Sequence, residues 1–225
     1  MAEAIIIDLY DTLTDESEND KNGVALLRQV VATAGQRVTE QALAQAQDFA
    51  IQSFAPNMFE AMIFHLVQRD TTMALRCISA FKKNFPRKVN IRPKARDILT
   101  ICKERGWKTA LAHAPDKDEA DALQKAGILP MFDIKGPPAA LKIALPDIRV
   151  LEMLLGQLSV RPGDCVMLGN RIDNDIRPAN MLRMTTVQLQ TGLHGKKQLP
   201  RDLKDVPAYE APTIEALLNV LPTVV

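Results

Sequence analysis

"IIIDLYDTLTDE", residues 5–16, is the stretch on which the fold turns. With Ala4 before them, the three isoleucines make residues 4–7 a short, continuous apolar run. That pattern predicts a strand buried on both faces. The run ends on Asp8. A carboxylate at the end of a buried strand can attack a phosphorus or carbon centre and form a covalent ester. It can equally cap the turn that follows. Thr12 is read as ordering the loop by bonding its backbone, and Thr14 and Asp15 as turn residues.

Past "DTLTDESEND" the period becomes helical. "NGVALLRQVVATAG" places Val24, Leu27, Val30 and Val31 on one side and stops at Gly35. "VTEQALAQAQDFAIQSF" starts on a Thr39 cap, and two further stretches of the same style predict four helices and no strand over 18–88. From about residue 93 the character changes. "RPKARDILTICKERG" is a helix, "WKTALAH" a strand, "DKDEADALQKAG" a helix and "MFDIKG" a candidate strand. "PDIRVLEMLLGQL" is a helix opened by Pro146. "DCVMLGN" is a strand and loop, "DIRPANMLRM" a helix, "TTVQL" a strand and "PTIEALLNVL" a last helix. Residues 192–210 read as a long surface loop. Alternating strands and helices predict a parallel sheet covered on both faces. The expected fold is therefore α/β: a Rossmann-like, doubly wound core of residues 1–15 and 90–225, with a helical insertion over 16–89. Such sheets bind ligands beyond the carboxyl ends of their strands. Three polar sites fall there: Asp8, the Ala112–His113 pair, and "GNRIDND" at 169–175.

The composition narrows the function classes. The chain has 225 residues, 47% apolar and 24% charged, with a formal net charge of +1. That balance gives no nucleic-acid footprint, and 4% aromatic residues argue against a base-stacking surface. Cys77, Cys102 and Cys165 stand far apart without a CxxC pair, as expected of buried thiols in a reducing compartment. No apolar run approaches ~18 residues, so no membrane span is expected. The N-terminus lacks the basic and apolar segments of a signal peptide. A cytoplasmic protein acting on a small molecule is the expectation; the oligomeric state is left open.

"LGNRIDNDI", residues 168–176, gathers oxygen donors that suit a hard cation such as magnesium. Asp173 and Asn174 can also be read as helix caps. At this point the residues reach a family. "IIIDLYDTL" resembles the first motif of the haloacid dehalogenase-like hydrolases, an apolar strand followed by Asp-x-Asp-Gly-Thr-Leu. "LGNRIDNDIRPANMLRM" is similar to their fourth motif, and "LPDIRVLEMLLGQLSVRPGD" resembles the segment that normally opens Lys-Pro-Asp-Pro. The motif order covers nearly the whole chain. The early helical insertion resembles the cap that closes over such sites and selects substrates. The resemblance implies Asp8 as nucleophile and a weakened Mg2+ site at Asp8, Tyr10, Asn170 and Asp175. It implies substrate contacts at Thr12, His113, Lys142, Asn170 and Arg171.

The departures from the family define an altered, degenerate site. Tyr10 stands where phosphatases carry the second aspartate, their general acid. Ala112 replaces a hydroxyl residue, with His113 next to it. Leu145 stands at the family's lysine, and Lys142 lies three residues earlier. Asn170 replaces the first metal-binding acid of the fourth motif. Losing a general acid alone costs about 10²–10⁴ in rate. Three readings stay open. One is a hydrolase acting through Asp8 on a small phosphorylated or similarly activated metabolite. Another is a non-catalytic relative that binds a ligand or partner. The third resembles the metal-free 2-haloacid dehalogenases: Tyr10 fits their first motif, and Asn170-Arg171-Ile172-Asp173 has their spacing. There Asp8 attacks carbon and Asp173 activates water. Arg171 can supply the missing lysine's charge or lie exposed at a helix start. His113 is a base, a substrate contact, or a hydrogen-bonded replacement for the usual asparagine. His65 is read as structural, and His194 is given no role.

Overall fold

The computed structural model describes residues 2–224. The opening isoleucines form β1 (Ala4–Ile7). The chain then runs through four helices: α1 (Ser17–Thr33), α2 (Glu40–Gln52), α3 (Met58–Leu66) and α4 (Thr71–Asn84). Alternation follows, with α5 (Ala95–Glu104), β2 (Lys108–Leu111), α6 (Lys117–Lys125), α7 (Ile148–Leu158) and β3 (Cys165–Gly169). It ends with α8 (Arg177–Met181), β4 (Thr185–Leu189), α9 (Gly192–Lys197), β5 (Tyr209–Ala211) and α10 (Ile214–Val220). The chain divides into two compact units, residues 1–15 with 89–225, and residues 16–88.

In the first unit the five strands lie in the order β2-β1-β3-β4-β5, every pair parallel. Side chains alternate across a strand, and here both faces are apolar. Ile5, Ile7, Val166, Leu168 and Leu111 join a cluster with Ile98, Leu99, Leu123 and Leu217. Ala4, Ile6, Ala110, Cys165 and Met167 join the other, against Val150, Leu151, Leu154 and Leu158 of α7. Covering both faces is what demands the unbroken apolar run at the N-terminus. Each fully buried isoleucine contributes about 1.5–3 kcal/mol relative to exposure. β1 lies between β2 and β3, with β2 reached on one side and the later strands on the other. The topological switch point, where ligands of such sheets bind, therefore lies at the carboxyl end of β1.

The second unit is helical throughout its regular structure. Thr39, Asn57 and Asp70 cap α2, α3 and α4 by accepting from the backbone N–H groups of Ala42, Glu60 and Met73. Gly23 is required for packing: a Cβ there would lie 2.7 Å from Phe59 Cε1. Phe59 in turn packs on Phe81 and Phe85, at ring separations of 5.1 and 5.8 Å.

Four local expectations need correction. "MFDIKG" is not a strand; a 3₁₀ turn over Leu129–Met131 leads to a single bridge between Ile134 and Ala110. Asp147, not Pro146, caps α7, because its side chain accepts from the Arg149 N–H. "DIRPANMLRM" opens with a π-turn over Ile172–Ile176 before α8 begins. Residues 192–210 are not a plain loop: they hold α9, a 3₁₀ turn at Leu203–Asp205 and the start of β5. The fifth strand is thus β5, which pairs with β4.

Candidate active site

Asp8 is placed by the strands on either side. Its N–H donates to Leu168 O of β3 at 2.8 Å, and Ala112 N–H at the end of β2 donates to Ile7 O at 2.8 Å. The ends of β1, β2 and β3 are therefore stitched together at this level. Asp8 is only 5% exposed. Burial holds its carboxyl well above the ordinary carboxylate range, and the charge of Asp175 adds to the rise; the Leu9 backbone N–H and Arg171 pull the other way.

Asp175 comes from the π-turn after β3. Its Oδ2 accepts from the Arg171 N–H at 2.9 Å and its Oδ1 from Asn174 Nδ2 at 2.8 Å. Burial pushes its carboxyl up to about 6 against those two bonds. Gly169 makes its approach feasible, since a Cβ there would sit 2.5 Å from Asp175 Cβ. Two rigid backbones cannot absorb such an overlap cheaply. Gly169→Ala is thus expected to displace Asp175 and to lower the stability by about 1–3 kcal/mol, read by thermal melting. A variant that melts with the wild type shows that the close approach carries no packing constraint.

Arg171 is not an exposed residue at a helix start. Its Nε donates to Asp173 Oδ1 at 3.1 Å and its second terminal nitrogen to Asp173 Oδ2 at 2.6 Å. Gln198 Nε2 also donates to Asp173 Oδ1, at 2.6 Å, and Gln198 Oε1 accepts from the Ile172 N–H at 2.7 Å. This corrects the reading of Asp173 as a helix cap. It caps no helix, and its oxygens are spent on Arg171 and Gln198. Although burial acts to raise it, those bonds hold its carboxyl below the ordinary range. Such a carboxylate is a poor base for activating water. The two bonds fix the Arg171 guanidinium, whose charge acts on both Asp8 and Asp175. His194, on α9, belongs to the same neighbourhood. Burial and the nearby Arg171 push it down to about 4, and its Nε2 is buried with no hydrogen-bond partner among the described residues.

Thr12 also departs from expectation. Its hydroxyl bonds no backbone group; it is fully buried and makes no hydrogen bond among the described residues. The turn is held instead by Thr14 Oγ1, donating to Leu9 O at 3.2 Å, and by Thr191 Oγ1, donating to Asp11 O. Asn170 has a similar orphan. Its Nδ2 donates to Thr191 O at 3.4 Å, while its buried Oδ1 has no partner among the described residues. These observations bear on magnesium. Among the described residues no group of three or more His, Cys, Asp or Glu side chains is arranged to hold a metal. Two raised carboxyls, Asp8 and Asp175, and the orphaned amide oxygen of Asn170 nonetheless stand at adjoining strand ends. An all-oxygen set with unneutralised charge fits a hard divalent cation.

The Tyr10 hydroxyl is engaged by side chains of β2's end and α6. It donates to Glu119 Oε1 at 2.8 Å and lies 3.1 Å from His113 Nε2. His113 Nε2 is also 3.0 Å from Glu119 Oε2. With that hydroxyl engaged, the side-chain oxygens that remain for a cation are those of Asp8, Asn170 and Asp175. Lys142 is exposed, at φ +50°, and no contact in the described structure makes it a substrate group. Leu145 packs against the apolar cluster of Ile6 and α7. The cation of this site is Arg171.

The pattern of the haloacid dehalogenase-like hydrolase family matches residues 2–182. A glyceraldehyde 3-phosphate phosphatase of Methanopyrus kandleri is 34% identical over 76 residues. That match covers 34% of this chain and spans only about a third, 32%, of the relative's length. Among solved structures, a Clostridium difficile protein provisionally described as a phosphatase superposes with a TM-score of 0.69 at 18% identity, covering 98% of both chains. A 2-haloacid dehalogenase from Pseudomonas syringae superposes with a TM-score of 0.56 at 18% identity, covering 99% of both. At such identities the likeness is one of fold, and it is shared by proteins described as a phosphatase and as a dehalogenase.

Proposed function

The chain belongs to the haloacid dehalogenase-like hydrolases, and from that premise we propose that it hydrolyses a small phosphorylated metabolite, with Asp8 as nucleophile. The observation that carries this reading is the state of Asp173. Carbon attack of the dehalogenase type needs a carboxylate there to activate water, and Asp173 is clamped by Arg171 and Gln198. The same clamp leaves a guanidinium at the Asp8 site, where a phosphoryl group brings negative charge.

The residues divide the work. Asp8 attacks phosphorus and forms an acyl phosphate, which water then cleaves. Arg171, oriented by Asp173, offsets the charge of the transferring group in place of the family's lysine. Asp8, Asp175 and Asn170 would hold Mg2+, which when bound offsets phosphoryl charge. Thr12, with its hydroxyl buried and unpartnered, is a donor for a phosphoryl oxygen. In this reading residues 16–88 form the cap domain and the rest of the chain the catalytic core.

A turnover panel of phosphate monoesters and 2-haloacids, with and without Mg2+, tests the proposal. The expected result is release of phosphate and no release of halide. Mg2+ should also raise the melting temperature of the wild type, since a ligand bound only by the folded state stabilises it by about 2.7 kcal/mol at one hundred times its Kd. That shift should vanish in Asp175→Ala. Halide release, or no turnover on any substrate, rejects the reading; the latter result leaves a binding protein built on a hydrolase fold, consistent with Leu145 and Ala112 in place of polar groups.

A further inference from the structure

The family's general acid is missing at position 10, and the residue that replaces it points at a buried carboxylate. Glu119 lies in the first turn of α6 and is 0% exposed. Glutamate is almost never fully buried unless paired. Part of its role is local. Its Oε2 accepts from the Asp116 N–H at 2.8 Å, and Asp116 Oδ1 accepts from the Glu119 N–H at 2.9 Å, a reciprocal cap. An exposed glutamate serves that purpose equally well, so the cap explains neither the burial nor the two further partners, Tyr10 and His113.

With Glu119 ionised, the protons of this trio have one arrangement. The Tyr10 hydroxyl has one proton, and it goes to Glu119 Oε1. An ionised carboxylate donates nothing. The 3.0 Å approach of His113 Nε2 to Glu119 Oε2 is therefore a hydrogen bond only if Nε2 carries a proton. The tautomer is assigned from these partners. The other ring nitrogen, Nδ1, has no hydrogen-bond partner among the described residues, and the His113 side chain is 31% exposed. His113 follows Ala112, whose N–H bonds Ile7 O beside Asp8. The Tyr10 and His113 rings lie 5.1 Å apart.

We infer that His113 does the proton transfer which the family's second aspartate performs, with Glu119 and Tyr10 as positioning residues that fix its tautomer and ring orientation. This rests on the phosphoryl-transfer reading above. In the first step an Asp8 oxygen bonds to phosphorus as the ester P–O bond breaks. The imidazolium of His113 gives its Nδ1 proton to the leaving oxygen and becomes neutral, with Nε2–H still on Glu119. In the second step water adds to phosphorus, the Asp8–phosphorus bond breaks, and Nδ1 takes the proton that water loses. Atoms and charge balance over the cycle, and no other reactant is needed. Histidine suits both directions because one ring nitrogen can give and take back a proton while the other stays bonded. A phenol, with an ordinary pKa of ~10, suits neither.

Leaving-group dependence tests this without relying on stability. Phenyl phosphate leaves as a strongly basic phenoxide and needs a proton; dinitrophenyl phosphate leaves without one. His113→Ala is expected to lower kcat on phenyl phosphate by about 10²–10⁴ while changing dinitrophenyl phosphate less than about 5-fold. Glu119→Gln, which keeps the cap's shape, should show the same split to a smaller degree. Nitrogen-15 shifts of the imidazole should report a protonated Nε2 in the wild type and a mixed tautomer in Glu119→Gln. Equal losses on both esters, unchanged phenyl phosphate turnover in His113→Ala, or a protonated Nδ1 with bare Nε2 in the wild type each overturn the inference alone. A wild type inactive on both esters overturns it together with the phosphoryl-transfer reading.

Discussion

Asp8→Asn is expected to abolish phosphate release, by roughly 10⁴–10⁶-fold, and at the same time to stabilise the protein. The first effect follows from removing the attacking oxygen. The second follows from electrostatics at the end of β1. Asp8 is buried, and the Asp175 charge adds to its strain, so both carboxyls are held above their ordinary range. A carboxyl with a raised folded-state pKa binds its proton more tightly in the folded chain. Its contribution to stability is full below the unfolded value near 3.9 and is lost as pH rises through the folded value, about 6 for Asp175. Asparagine carries no charge to bury. The variant should therefore melt higher than the wild type at pH 7.5, and the gain should shrink towards nothing at pH 4. Thermal melts across that range, beside a phosphate-release assay, check both halves. A variant that melts lower than the wild type at pH 7.5 contradicts the account of the site.

Arg171→Ala is the second large effect, and it has the opposite sign on stability. The guanidinium is the partner of a buried carboxylate, Asp173, held by two bonds. Removing one member of such a pair strands the other charge and costs about 3–5 kcal/mol. It also removes the positive charge acting on Asp8, so turnover should fall a further 10²–10³-fold in the protein that remains folded. Arg171→Lys keeps the charge but not the fork; it should recover part of the stability and less of the activity. Denaturant unfolding of the three proteins separates these outcomes. If Arg171→Ala melts with the wild type, the buried pair has no energetic weight.

Much of this was legible in local pattern. The run at residues 4–7, the cap residue Thr39 and the helical period over α1–α4 each depend on neighbours within a few positions. Asp8 and Asp175 were legible as well, because strand ends are where a parallel sheet exposes chemistry. His194 and Gln198 were not. They lie in a polar stretch with no apolar period, and only α9 and its placement bury them. Glu119 was hidden differently: it sits in "DKDEADALQKAG", where acids at a helix start ordinarily mean capping and solvent. Its partner Tyr10 is 109 positions away, a separation that no pattern spans. The identity of the positive group was equally hidden, since Lys142 and Arg171 are both plausible by spacing and only Arg171 is pinned inside.

By itself the sequence determined the kind of sheet, the strand that carries Asp8 and the loop that carries Asp175, since apolar period and breaker residues act over a few positions. Only the tertiary structure decided which charge meets which: Arg171 with Asp173, Tyr10 and His113 with Glu119, Asp8 with Asp175. Burial turns a charge from a surface ornament into a cost of several kcal/mol. Where that cost is met depends on which loops the strand order sets side by side.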